Sequence, residues 1–225
     1  MNKHKRYILK KITPNKPRVV RLIKKLFLDE DSFFYTTGFF SSFIKKTPCE
    51  IKNCKSLPLP WYNLSFIKFI KSRINKDMTI FEFGSGYSTL FFSKLVKQVV
   101  AIEHDKKWYK KIQNSIKKRG IKNIKLIFNP LNDEYTNYIN KTTKKYNIII
   151  VDGRKRVDSI YNSLDNLTKD GVIILDDSQR KSYKKGIEFL QKKGFRKIDI
   201  WGLKLTTILF LPTSIFYKNN NCLGI

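Results

Sequence analysis

Acidic residues are scarce: 18 Asp and Glu stand against 46 Lys and Arg in 225 residues, a formal net charge of +28. Such an imbalance suits a polyanionic partner: RNA, an acidic membrane, or a phosphorylated or acidic sugar. Lys, Asn, Ile, Phe and Tyr are abundant together, the mark of an AT-rich genome, which raises Lys without selection for binding but leaves the shortage of Glu unexplained. Cysteine is scarcer still. Cys49, Cys54 and Cys222 are odd in number and fit neither a disulfide framework nor a zinc ribbon. Histidine is limited to His4 and His104, which excludes a histidine-rich metal site. No run of about 18 apolar residues occurs, so no transmembrane helix is expected. The N-terminal MNKHKRYILKKITPNKP is basic, yet neither a long apolar core nor a small-residue cleavage site follows, which argues against a secretory signal. The expected compartment is a reducing cytoplasm, with peripheral contact at the inner face of the membrane as a variant.

What the chain has is apolar mass. At 41% hydrophobic and 14% aromatic content, it can close one good-sized core. Residues 1–60 read as an extension: a basic arm over 1–16, then an amphipathic helix from Pro17, then an aromatic cap. The helix sets Val19, Leu22, Ile23, Leu26 and Phe27 opposite Arg18, Arg21, Lys24 and Lys25, a face that either packs on the domain or lies on an anionic membrane. Residues 61–225 are regular. After a helix from about Leu64 to Ile74, apolar strands alternate with amphipathic helices. The strands are TIFEF, QVVAIE, IKLIFN, YNIIIVD and GVIILDD. The helices between and after them are STLFFSKLV, KKWYKKIQNSIKKRG, DEYTNYINKTT, VDSIYNSLDNLTKD and SYKKGIEFLQKKG. Continuous Ile and Val runs suit strands covered on both faces, and strand–helix repetition builds an α/β, doubly wound, mostly parallel sheet. RKIDIWGL and TSIFYK follow as two final strands, the last antiparallel.

The stretch FEFGSGYST raises the chemical question, because an acid, Glu82, stands between two phenylalanines before Gly84-Ser85-Gly86. A buried carboxylate needs a partner. In a parallel sheet, ligands sit beyond the carboxyl ends of the strands, where these residues fall. A dinucleotide fingerprint requires a third glycine where Thr89 stands, and no Lys-Ser or Lys-Thr completes a phosphate loop. An acid two residues before the glycines would repel a pyrophosphate but suits a ligand bearing an amino group and a sulfonium. Glu103, ending the next strand, is placed to accept both ribose hydroxyls.

FEFGSGYST, VVAIEHD and IIIVDG in this order resemble the successive motifs of class I S-adenosylmethionine-dependent methyltransferases. The wider pattern from about Phe34 to the C-terminus is similar to bacterial FkbM-like and glycan-pathway-associated methyltransferases. The resemblance implies S-adenosylmethionine as cofactor, bound by Glu82 at its amino end, by Gly84, Ser85, Gly86 and Ser88 alongside, and by Glu103 at the ribose. His104 or Asp105 would flank the adenine, His104 being equally a helix-cap neighbour with no contact. Many relatives place an acid against the adenine amine after the third strand. IFNPLND offers Asn129 or Asn132 instead.

The acceptor end follows from the same resemblance. Acids after the fourth and fifth strands, Asp152, Asp176 and Asp177, stand nearest the methyl, and Asp152 would also border the cofactor. VDGR lacks the Asn/Asp-Pro-Pro-aromatic turn of amine methylation, so oxygen methylation is favoured, with Asp152 and Asp176 as catalytic candidates. Catechol-type relatives bind a divalent cation with such acids; here magnesium at Asp152, Asp176 and Asp177 is the alternative, and Asp177 could instead cap a helix starting near Ser178. Arg154 and Arg156 could fork onto a carboxylate or phosphate of the acceptor, and Trp61 could face a sugar ring. The expected activity is O-methylation of a sugar, glycan precursor or other small polar, anionic metabolite. The alternatives are RNA methylation and an inactive cofactor-binding protein at a membrane surface.

Overall fold

The computed structural model describes residues 60–204 and 209–225. The basic arm, the amphipathic helix from Pro17 and the aromatic cap up to residue 59 lie outside the described residues, as do Cys49 and Cys54.

The first described helix, α1 (Leu64–Lys71), begins where Asn63 caps it, its Oδ1 accepting from the Phe66 N–H at 2.9 Å, and buries Phe66, Ile67 and Ile70. After it come β1 (Thr79–Phe83), α2 (Tyr87–Ser93), β2 (Gln98–Glu103), α3 (Lys106–Lys118), β3 (Ile124–Phe128), α4 (Asp133–Asn137), β4 (Tyr146–Val151), α5 (Arg156–Tyr161), β5 (Leu167–Asp176), α6 (Lys184–Lys192), β6 (Arg196–Lys204) and β7 (Leu209–Tyr217). They form a seven-stranded sheet in the order β3-β2-β1-β4-β5-β7-β6. Strands β1 to β5 run parallel, while β7 is antiparallel to both β5 and β6. This is the doubly wound sheet with a final antiparallel strand that the sequence predicts. Its order reverses between β1 and β4, so a crevice opens beyond their carboxyl ends.

The central strands are buried over their carboxyl-terminal stretches, including Phe81 and Phe83 of β1, Ile148 to Val151 of β4 and Val172 to Leu175 of β5. That is why they read as unbroken apolar runs. Edge strand β3 differs: Lys125 and Phe128 are exposed, so the two-sided cover expected of every strand is absent there.

Three helix boundaries also differ from expectation. The helix expected over 157–170 stops at Tyr161, and Leu167–Asp170 join β5, with Leu167 opposite Tyr146. Asn166 enforces the break, its side-chain amide donating to the Ile139 and Lys144 carbonyls at 3.2 and 3.1 Å. The helix expected over 133–143 tightens into a 3-10 turn from Tyr138 to Thr142, ended by Thr143 at φ 51°. The helix after β5 begins at Lys184, behind a 3-10 turn over Lys181–Tyr183, so Asp177 caps no helix. Among the described residues no helix is long and apolar enough to cross a membrane.

Candidate active site

A cavity of about 610 Å3 opens at the carboxyl ends of β1, β2 and β4, with Glu82, Ser85, Glu103, Asp152 and Arg154 among its walls. That volume lies in the range of small-molecule pockets, about 300–1,000 Å3. Two glycines let the strand ends approach. Gly84 has φ 92°, and a Cβ there would meet the Gly153 backbone at 3.0 Å; a Cβ on Gly153 would meet Tyr135 Oη at 2.3 Å and the Gly84 nitrogen at 2.9 Å. Gly86 is different, since its extended φ of 177° is open to any residue.

Glu82 is almost fully buried, and its partners are hydroxyls: Ser88 Oγ donates to Oε1, and Thr89 Oγ1 donates to Oε2 at 2.6 Å. Among the described residues no cation pairs with it. Burial pushes its carboxyl from 4.5 up to about 8; the two hydroxyls oppose the shift and Asp152 and Glu103 add to it. Thr89, the residue that breaks the dinucleotide fingerprint, is thus a ligand of the motif's own acid. It also accepts from the Gly86 N–H at 2.9 Å.

Glu103 fastens the glycine turn. Its Oε2 accepts from Ser85 N and Ser85 Oγ, each at 3.0 Å, and its Oε1 accepts from the His104 and Asp105 N–H groups at 2.8 and 2.9 Å. His104 Nδ1 stands 3.1 Å from the same Oε1, and its ring packs edge-on against Tyr135. Asp105 is spent on capping α3, accepting from the Trp108 N–H at 2.8 Å, while Trp108 Nε1 donates to the Ser85 carbonyl at 2.6 Å.

A second cavity of about 440 Å3 shares Asp152, Arg156, Trp61 and Trp108 with the first and adds Asp177 and Lys204. Trp61, Tyr87 and Trp108 form an aromatic wall with ring centroids 5.5 to 6.1 Å apart. Behind this wall lies a charge cluster. Arg156 Nη2 donates to Asp152 Oδ1 at 2.9 Å, and Arg156 Nη1 donates to the Asp176 carbonyl. Lys204 Nζ donates to Asp176 Oδ2 at 2.5 Å and to Asp177 Oδ1 at 2.7 Å. Arg180 Nη2 takes Asp177 Oδ2 at 2.6 Å, and Thr213 Oγ1 takes Asp176 Oδ1 at 2.7 Å.

These pairings set the protonation states. Burial pushes Asp152 up to about 7, Asp176 reinforcing the shift and Arg156 and Lys204 restraining it; a quarter of its side chain nevertheless reaches open space. Burial likewise raises Asp176. Against the pull of burial, Lys204, Arg156 and Arg180 hold Asp177 below the usual carboxylate range. Burial opposes the charge of Lys204 too, but Asp176 and Asp177 outweigh it and lift the ammonium above an ordinary lysine.

Of the residues singled out in the sequence, Trp61, Glu82, Gly84, Ser85, Ser88, Glu103, His104, Asp105, Asp152, Arg154 and Arg156 meet around the first cavity, and Gly86 and Asp177 border the second. Three do not reach a wall. Asp176 is sealed behind Lys204 and Thr213; Asn129 is buried, its N–H on the Glu103 carbonyl at 2.9 Å; and Asn132 caps α4, accepting from Tyr135 N at 3.2 Å. Among the described residues, no group of three or more His, Cys, Asp or Glu side chains could hold a metal ion. Sequence reasoning missed Lys204, Thr213, Trp108 and Tyr135. The one available signal was the lysine that closes the stretch IDIWGLK.

The fold and the placement of this cavity define a class I methyltransferase architecture, and comparisons with known proteins agree. The family model of protein-L-isoaspartate(D-aspartate) O-methyltransferase matches residues 10–207. The chain belongs to that family, and so to the S-adenosylmethionine-dependent methyltransferases. Among solved structures, precorrin-6y C5,15-methyltransferase from Geobacter metallireducens superposes with a TM-score of 0.54 at 17% identity, over 69% of this chain and 88% of that one. An rRNA methylase from Streptococcus thermophilus gives 0.51 at 19%, over 67% and 92%. A Streptococcus mutans protein in complex with SAH gives 0.50 at 18%, over 67% and 94%. These likenesses concern the fold. A comparison with curated protein sequences finds no match.

Proposed function

We propose that the chain transfers a methyl group from S-adenosylmethionine to a hydroxyl oxygen of a small, polar, negatively charged acceptor of the glycan-precursor type. One observation carries this reading: Asp152 borders both cavities, and its Oδ2 has no donor among the described residues, whereas Oδ1 is held by Arg156.

The cofactor suits the first cavity. Glu82, lacking a cationic partner among the described residues, would hold the amino end, and Glu103 would hold the ribose once Ser85 Oγ turns off Oε2. Gly84 and Ser85 would run alongside, with His104 at the nucleoside end of the wall. When bound, the cofactor supplies an electrophilic methyl carbon on a sulfonium, which leaves as a neutral thioether. Asp152 would take the acceptor's hydroxyl proton as the oxygen–carbon bond forms, the carbon–sulfur bond breaks and its electron pair stays on sulfur. A carboxyl near 7 is matched to that task at neutral pH. Arg156 fixes its orientation, and Trp61, Tyr87 and Trp108 would cover the acceptor's apolar face and exclude water.

Arg154 supports a second reading. It lines the first cavity, is exposed, and pairs with no carboxylate among the described residues. A peptide carboxylate, the acceptor class in the family's description, would suit that guanidinium and would need no base. Asp152→Asn separates the two readings. With a hydroxyl acceptor we expect SAH affinity to be retained and turnover to fall about 10²–10⁴-fold. Undiminished turnover of a carboxyl acceptor in the same variant would favour the second reading.

A further inference from the structure

The acids at the ends of β4 and β5 resemble a divalent-cation site in residue type, but five of their six carboxylate oxygens are already committed, Asp152 Oδ2 being the exception. Asp176 Oδ1 is held by Thr213, Asp177 Oδ2 by Arg180, and Asp152 Oδ1 by Arg156. The two oxygens that face each other, Asp176 Oδ2 and Asp177 Oδ1, share one ammonium, that of Lys204 at 2.5 and 2.7 Å. Lys204 is buried, descends from β6, and is joined by a backbone bridge to Asn63. Asn63 is itself fixed by donating to the Ile200 and Leu211 carbonyls at 2.9 and 3.1 Å and to Thr213 Oγ1 at 3.2 Å. The ammonium is therefore built in rather than a surface side chain that happens to lie across the acids.

Charge reaches the same conclusion. Asp152, Asp176 and Asp177 face Arg156, Lys204 and Arg180, three acids against three cations, so the cluster has no excess negative charge to attract a further cation. A magnesium ion needs about six oxygens near 2.0–2.1 Å and would have to displace Lys204 against two remaining guanidinium groups. Meanwhile Lys204 lines the second cavity, and an ammonium has three donors, of which two are used by Asp176 and Asp177.

We infer that Lys204 is the resident cation of this acid pair: it occupies the position a divalent ion would take, makes the site independent of metal, and offers its third N–H to the acceptor oxygen in the second cavity. The last clause rests on the oxygen-methylation reading above; the occupancy of the acid pair does not.

The test is Mn²⁺ binding to the full chain, followed by electron paramagnetic resonance, which needs neither cofactor nor acceptor. Wild type should leave the free-ion spectrum unchanged at millimolar Mn²⁺. Lys204→Met, shown to be folded by circular dichroism, should gain one Mn²⁺ site about tenfold or more tighter than any in wild type, and Asp176→Asn in the same chain should remove it. Stoichiometric Mn²⁺ binding by wild type that Asp176→Asn abolishes would overturn the inference, as would a folded Lys204→Met chain that binds none. If Lys204→Met does not fold, the wild-type titration with and without Asp176→Asn still decides. In turnover, Lys204→Met should lower kcat with SAH affinity unchanged. Failure of the methyltransferase reading would instead appear as absent SAH binding and leave the Mn²⁺ result untouched.

Discussion

Glu82 sits at the end of β1 with two hydroxyl partners and no cation among the described residues, which makes its proton a reporter of the site. Its pKa is raised from 4.5 to about 8 on folding, chiefly by burial, so the native state keeps a proton that the unfolded chain gives up. The associated stability is complete below about 4.5 and is lost as the pH rises through about 8. Glu82→Gln cannot titrate. Urea midpoints measured at pH 5 and pH 8 should therefore fall further for wild type than for this variant, Asp152 contributing alike to both. A cationic amino group placed against Glu82 would draw the proton off, so SAH should bind wild type more tightly at pH 8 than at pH 6, with proton release that Glu82→Gln lacks. Equal affinity at both pH values would separate Glu82 from the cofactor. The acids at this scale were legible because a parallel sheet presents ligands at the carboxyl ends of its strands. Lys204 and Thr213 were not, since they reach the acids only through the antiparallel pairing of β7 between β5 and β6, which no local spacing encodes.

Among the elements, the approach of β1 to β4 is what shapes the crevice. Phe83 pairs with Val151, and just beyond them Gly84 and Gly153 meet backbone to backbone, with Tyr135 at the start of the α4 turn closing the gap. Gly153→Ala forces its Cβ against Tyr135 Oη and the Gly84 nitrogen, both fixed in the core. The expected cost is about 1–3 kcal/mol, read as a lower denaturant midpoint. Tyr135→Phe in the same chain should restore part of it by removing the nearest atom. No change in midpoint for Gly153→Ala would mean the turn is looser than its contacts indicate. The strands themselves were readable because central parallel strands carry runs of buried apolar residues, such as Ile148 to Val151 and Val172 to Leu175. The end of α5 was not readable: NSLDNLTKD has helical periodicity, and it is the Asn166 amide, bonded to the Ile139 and Lys144 carbonyls far along the chain, that breaks it.

For the molecule as a whole, the formal charge of +28 is a statement about polyanions rather than about the fold. Single-stranded RNA should bind weakly and release steeply with salt, as counterion-driven association does. A small-acceptor enzyme should deposit no labelled methyl group in that RNA; stoichiometric incorporation would move the acceptor assignment to nucleic acid. The cofactor crevice lies beyond the ends of β1, β2 and β4, and calorimetric titration of SAH into wild type and Glu103→Ala is its decisive test. Saturable one-to-one binding to wild type, weakened by about 1–3 kcal/mol in a folded Glu103→Ala chain through loss of charge-assisted hydrogen bonds, is the predicted result. No heat of binding to wild type, or equal affinity in the two chains, would contradict it.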